Sequence, residues 1–224
     1  MTAPMAISRI NAMAMTNLAA HIDFLLAAEL QFRLASAVRL AVTMGNQPLD
    51  LPQEWSHGKH KVTYSEVALR QDQADFAAWS MHRSATFLMA VAMKDAIKAA
   101  VSDPKSATNS DVQAAYQISR LIRNAFAHSP FNPVWSIDPD CRNRVFEVSG
   151  VVSLDTTDLQ GVAFNWRPYG GPLAMLRLCR YVRFEILKDP KRTRETIPIS
   201  KNIYYQQGSL ILEQIKKPGK RNED

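Results

Sequence analysis

The chain has 224 residues, enough for one domain of ordinary size to bury a real core, so neither disulfides nor a structural metal is needed to hold it together. Lys and Arg outnumber Asp and Glu 27 to 21, and the net charge of +6 favours polyanionic partners such as RNA, DNA or an anionic surface. No run of about eighteen apolar residues exists, which excludes a membrane-spanning helix, and Cys141 and Cys179 lack the spacing of a zinc site or a disulfide framework, which points to reduced thiols and a cytoplasmic setting.

Met1 to Thr16 is rich in Met and Ala, lacks the continuous apolar stretch of a secretory signal, and reads as a flexible leader. A long amphipathic helix is expected from Thr16 or Asn17, both good caps, to about Met44, with Leu18, Ile22, Leu25, Leu26, Phe32 and Leu40 near helical spacing. Gly45 and Pro48 stop it, and a loop follows to Thr63. That loop holds His57 and His60, a weak metal candidate because no Cys, Asp or Glu completes a ligand set at a recognisable spacing.

Thr63-Tyr64-Ser65-Glu66 has the form of a capping box and predicts the start of a second helix, running to about Val101 before Asp103-Pro104. Its apolar positions include Leu69, Phe76, Trp79, Phe87, Leu88, Val91 and Ile97, with Met81, Met89 and Met93 as core filler. Ser110-Asp111-Val112-Gln113 predicts a third helix start in the same way. This helix carries Val112, Tyr116, Ile118, Leu121, Ile122 and Phe126 and ends just after His128, because Pro130 pushes the residue before it out of helical geometry.

The hydrophobic period then changes to two. Val145 to Val148 and Val151 to Leu154 flank Ser149-Gly150, a β-hairpin signal, and Val162 to Trp166 is a further extended stretch, so a β insertion over about 144–166 is expected. Gly170-Gly171-Pro172 introduces a fourth helix with Leu173, Leu176, Leu178, Tyr181, Val182, Phe184, Ile186 and Leu187, closed by Asp189-Pro190. Residues 189–224 read as a basic C-terminal extension, leaving 17–188 as the folded domain. The expected class is mainly α, a four-helix bundle with a small β-hairpin insertion before its last helix.

Chemistry concentrates in Arg123-Asn124-Ala125-Phe126-Ala127-His128 near the end of the third helix. An Arg, a polar residue beside it and a His four to six positions after the Arg resemble the motif of the HEPN superfamily, and the resemblance covers about Asn17 to Lys188. It implies an up-and-down four-helix bundle that dimerises to join two motifs, and metal-independent RNA cleavage in a defence or toxin-antitoxin system. It gives Arg123 and His128 catalytic roles and Asn124 a supporting one, with RNA as substrate, a homodimer as the working unit, an antitoxin protein as partner and no cofactor or metal. A non-catalytic module of the same fold, binding RNA or a protein, is the other reading. In a subset of family toxins a Tyr, modified by a partner enzyme, stands two residues after the His; here Pro130 occupies that place, which argues against control by that route.

The residue types suit that chemistry. Cleavage through the ribose 2′-hydroxyl needs a proton carrier and a stabiliser of phosphate charge; a His near neutrality supplies the first and a permanently charged Arg fork the second. Asn124 can orient either partner by hydrogen bonding. Helix geometry puts positions four apart about 40° from each other and positions five apart about 140° away, so Arg120, Asn124 and His128 make the cleaner row and Arg120 stands as a second candidate. An alternative role for His128 is to cap the helix end, where a partly charged imidazole suits the dipole. Arg177, Arg180 and Arg183, three residues apart on the fourth helix, form a basic stripe that either tracks an RNA backbone or serves as a solvated face. Arg142, Arg144 and Arg167 with Phe146, Trp166 and Tyr169 offer a second basic and aromatic cluster, though such aromatics more often belong to a core.

Overall fold

The computed structural model describes residues 4–45, 54–63, 69 and 71–190, and it is mainly helical. Four helices, α1 (Pro4–Thr43), α2 (Gln71–Ala100), α3 (Ser110–Ala127) and α4 (Gly171–Tyr181), are accompanied by two antiparallel hairpins, β1 (Glu54–His57) with β2 (His60–Thr63) and β3 (Val145–Val148) with β4 (Val152–Asp155). No helix among the described residues is long and apolar enough to cross a membrane. The basic extension expected after Asp189 lies outside the described residues from 191 onward.

α1 buries Leu25, Ala28, Phe32, Ala35 and Val42, a stripe repeating at three, four and seven residues, as one helix face pressed on a neighbour requires. It begins at Pro4, so the stretch expected as a flexible leader is helical and Thr16 and Asn17 are not its cap. Met and Ala are strong helix formers and proline is at home in a first turn, which explains the longer helix. Leu40, expected in the core, is exposed.

The segment expected as a loop up to Thr63 contains the first hairpin instead, with Glu54 opposite Thr63 and His57 opposite His60 across Gly58-Lys59. Gly58 takes a positive φ of 61°, the conformation a tight two-residue turn needs. Thr63 is therefore the last residue of a strand and not a helix cap; the remainder of that capping box, residues 64–66, lies outside the described residues. α2 starts at Gln71. It buries Ala78, Ala85, Met89, Ala90, Met93, Ala96 and Ile97, whereas Phe76 and Met81 are exposed. Gln31 to Ala35 lie beside Met81 to Leu88, and Arg39 to Thr43 beside Asp75 to Trp79, so α1 and α2 run antiparallel.

α3 is the spine of the fold: Ala114 through Ile122 are buried on every side, with Ala125 and Phe126 beyond them. Its cap is Asn109, one residue earlier than expected, whose side-chain oxygen accepts from the Asp111 and Val112 amides at 2.9 and 3.2 Å. One face of α3 meets α2 and another meets β3. The second hairpin falls within one residue of its expected place, with Phe146 opposite Leu154, both buried.

Between α3 and that hairpin, Pro133, Trp135 and Ile137 are buried in alternation along an extended run. Trp135 donates its amide to the Val162 carbonyl at 2.8 Å and Phe164 donates to Pro133 at 2.9 Å, so the expected extended stretch at 162–164 has a partner that was not anticipated. The rings of Trp135 and Phe126 both pack on Phe164, with centroids 4.9 and 4.7 Å away. Phe146 and Tyr169 are buried in this core, which removes them from any base-stacking surface.

α4 continues past Tyr181 as a π-helical turn, Val182–Ile186, in which the Leu187 amide reaches back to the Val182 carbonyl at 2.9 Å. Within it Arg183 is fully buried, donating to the equally buried Glu29 of α1 at 2.7 Å. Arg180 also lies 3.5 Å from Glu29, and only Arg177 is exposed without such a contact. The basic stripe expected along α4 is therefore corrected: the π turn aims Arg183 inward, at the only kind of partner that makes a buried guanidinium tolerable.

Candidate functional site

The C-terminal half of α3 carries Arg120, Arg123, Asn124 and, as its C-cap, His128. Beside it a short helical turn, Pro139–Cys141, brings Asp138, Asp140 and Cys141 alongside the helix. Arg120 is almost wholly buried there, 2.8 Å from Asp140 Oδ1, 3.2 Å from Asp138 Oδ2 and 2.9 Å from Cys141 Sγ. Burial opposes its charge, but the hydrogen bond to Asp140 and the surrounding negative fields outweigh this and hold its pKa above the ordinary value. The same hydrogen bond keeps the Asp140 carboxyl below the usual range. Burial pushes the Cys141 thiol up, the opposite of what a reactive thiolate needs.

Asn124 donates Nδ2 to Asp138 Oδ2 at 2.9 Å and accepts from Arg123 Nη1 at 3.1 Å. The carboxylate accepts and the guanidinium only donates, so this chain fixes which way the Asn124 amide faces. Asp138 is thus shared: Arg120 anchors it and Asn124 reads its position out to Arg123. Arg123 and Asn124 are half-buried and His128 is exposed. The row of Arg120, Asn124 and His128 drawn from helix geometry is realised in its first two members, which meet on Asp138. His128 lies at the open end of the helix, with no hydrogen bond or ion pair among the described residues.

Asp138 and Asp140 were not singled out by the sequence, where Asp138-Pro139-Asp140 looks like any polar turn. Among the described residues no three His, Cys, Asp or Glu side chains gather closely enough to hold a metal ion. The pairing of His57 with His60 is a backbone register across a hairpin turn, and His60 is exposed.

A second histidine, His82 on α2, had no sequence signal beyond its helical register with Ala78 and Ala85. It is buried between Phe32 and Trp166, with ring centroids 5.1 and 5.0 Å away. The Ser36 hydroxyl spends its proton on the Phe32 carbonyl at 2.7 Å, so at 3.0 Å it accepts from His82 Nε2. Nδ1 is then a bare acceptor, buried without a partner. Burial, with the field of Arg39, lowers the His82 pKa to about 4. Between that value and the ordinary 6.5 the unfolded chain binds a proton that the folded chain refuses. Stability is therefore expected to be full above pH 6.5, to fall as pH drops toward 4, and His82→Gln should flatten that part of the profile. Urea midpoints across this window check it; equal slopes in parent and variant would show that His82 is not the group responsible.

No family model, curated protein or solved structure matches this chain.

Proposed function

We propose that the protein is a metal-independent endoribonuclease of the HEPN type, a four-helix bundle whose Arg123 and His128 act on RNA at a site completed by a second copy of the chain. The observation that supports this reading is the hydrogen-bonded series from Asp138 through Asn124 to Arg123, which holds a guanidinium at the surface one and a half turns from an exposed imidazole. A permanently charged fork fixed in this way stabilises charge on a phosphate, and a solvent-facing imidazole has nitrogens that can take up and hand on a proton. Arg123 and His128 share no hydrogen bond within one chain, as expected if each works with a partner copy across the interface. Cytoplasmic action in a defence or toxin-antitoxin setting, with an antitoxin protein as partner, belongs to the same reading.

The same separation favours a second reading, a non-catalytic module of this fold that binds RNA or a protein, since no direct hydrogen bond joins the two residues. Cleavage of total RNA in excess EDTA decides between them. The parent is expected to cut, and His128→Ala to be slowed by about 10²- to 10⁴-fold, the range for loss of a general acid or base, with an unchanged unfolding midpoint. Intact RNA with the parent, or equal cutting by His128→Ala, favours the binding module.

A further inference from the structure

The C-terminal part of α1 and the start of α2 enclose an open cleft of about 350 Å³, at the lower end of the ~300 to ~1,000 Å³ range of small-ligand pockets. Its walls combine the Arg39 guanidinium with the rings of Phe76 and Trp79. Those rings stack on each other at 6.1 Å, and Phe76 keeps 62% of its surface exposed, a cost for a large apolar ring that no partner within the described chain offsets. The Arg83 guanidinium lies over the Trp79 ring at 3.6 Å from its centroid, and among the described residues its hydrogen-bond acceptor is the Phe131 carbonyl, 3.0 Å away. Its Nε is buried without a partner. Burial, and after it the field of Arg39, lowers the Arg83 pKa, and neither arginine forms an ion pair among the described residues although Asp75 stands on the cleft wall.

Arg39 on the cleft wall, without an ion pair among the described residues, and the aromatic shelf that Arg83 backs at Trp79 form a site for a ligand that carries both an anion and a flat ring. We propose that this cleft binds one nucleotide of unpaired RNA, its phosphate on Arg39 and its base against Phe76 and Trp79. Stacking on an aromatic shelf is sequence-tolerant because every base has a π-face, and Arg39 supplies the backbone attraction. Asp75, an acceptor only, adds a preference for bases that present an exocyclic amino group. The cleft lies between α1 and α2, apart from the residues placed on α3, so it grips RNA whether or not Arg123 and His128 cut it.

The probe is a fluorescein-labelled, 2′-O-methyl octaadenylate, which lacks the free hydroxyl that cleavage requires, read by anisotropy on the full chain. Phe76→Ala and Arg39→Ala are each expected to weaken binding by about fivefold or more, with unchanged urea midpoints. Lys98→Ala, which removes the same charge from the exposed far end of α2, should bind as the parent does. An abasic oligomer of equal length should bind the parent as weakly as the RNA probe binds Phe76→Ala. Parent-like affinity in Phe76→Ala, equal binding of the abasic oligomer, or an equal loss in Lys98→Ala would each overturn the site. A parent protein that cleaves RNA in EDTA yet does not bind the probe removes this site alone; a parent that binds the probe in the Phe76-dependent way but does not cleave supports the site and removes only the nuclease reading.

Discussion

Glu29→Ala is expected to lower the unfolding free energy by about 3 to 5 kcal/mol, the cost of breaking a buried ion pair from one side. Glu29 and Arg183 are both fully buried, and the 2.7 Å bond between them ties α1 to the π turn of α4 across 154 residues of sequence. Alanine removes the carboxylate and leaves the guanidinium in a site that water does not reach. Arg33 and Arg180, 3.7 and 3.5 Å from Glu29, make the loss worse, since both also lose the Glu29 carboxylate that stands between them and Arg183. Glu29→Gln, which keeps the shape and an acceptor, should cost less. Changing both residues to methionine should restore most of the stability, because the single variant keeps a buried charge that has lost its Glu29 bond, whereas the double variant buries no charge there. Urea unfolding followed by circular dichroism checks all three. A loss below about 1 kcal/mol in Glu29→Ala would mean that Arg183 reaches solvent, and that the basic stripe on α4 is real after all.

That ion pair also shows where sequence reasoning fails. Arg177, Arg180 and Arg183 repeat every three residues, and a repeating charge on a helix reads as a wet face. Nothing local in the sequence reveals either a π turn that redirects the third arginine or a carboxylate waiting 154 positions away. His82 was silent for a similar reason: a histidine at a core position has no signature until its neighbours are known. Asp138 and Asp140 are exposed enough to look like turn residues, and only the proximity of Arg120 gives them a task.

What was legible rests on local physics. The span of α3 follows from a capping residue and from Pro130, and both act over a few residues, so the end at His128 was placed correctly and the start missed by one position. The second hairpin follows from period-two apolar positions around Ser149-Gly150, and the entry to α4 from Pro172 in a first turn. The first hairpin was lost because Pro48, Pro52 and Gly58 read as loop punctuation and because Thr63 to Glu66 mimics a helix start. The extended run at Pro133 to Ile137 carried the alternation of a strand, but its partner lies beyond the intervening hairpin, and its bridge at Val134 and Ala163 is too short to announce itself.

If the proposed nuclease reading holds, the two arginines left open by helix geometry are expected to separate cleanly at the candidate site. Arg120→Ala removes the cation that Asp138 and Asp140 share and empties a buried position against Cys141, so it should destabilise the fold by about 2 to 3 kcal/mol, the scale of a lost charged hydrogen bond. Its effect on RNA cleavage should track the fraction of chain that remains folded. Arg123→Ala is the reverse case: among the described residues its guanidinium bonds only the neighbouring Asn124, so stability should change by less than about 0.5 kcal/mol. Cleavage should nonetheless fall by about 10²- to 10³-fold, as when a group that stabilises transition-state charge is removed. Arg123→Lys should recover little, because a point charge on a flexible stem cannot be aimed by Asn124 as a planar fork can. Asp138→Asn tests the series from the other side. Its amide still accepts through oxygen, but it no longer attracts Arg120, so kcat should drop while the apparent KM for RNA, set by contacts elsewhere, stays near the parent value. Turnover in EDTA and the unfolding midpoint, measured on each variant, give the comparison. An Arg120→Ala protein that is fully folded yet inactive, beside an active Arg123→Ala, would transfer the catalytic role to Arg120 and make Asn124 a structural link to the 138–141 turn.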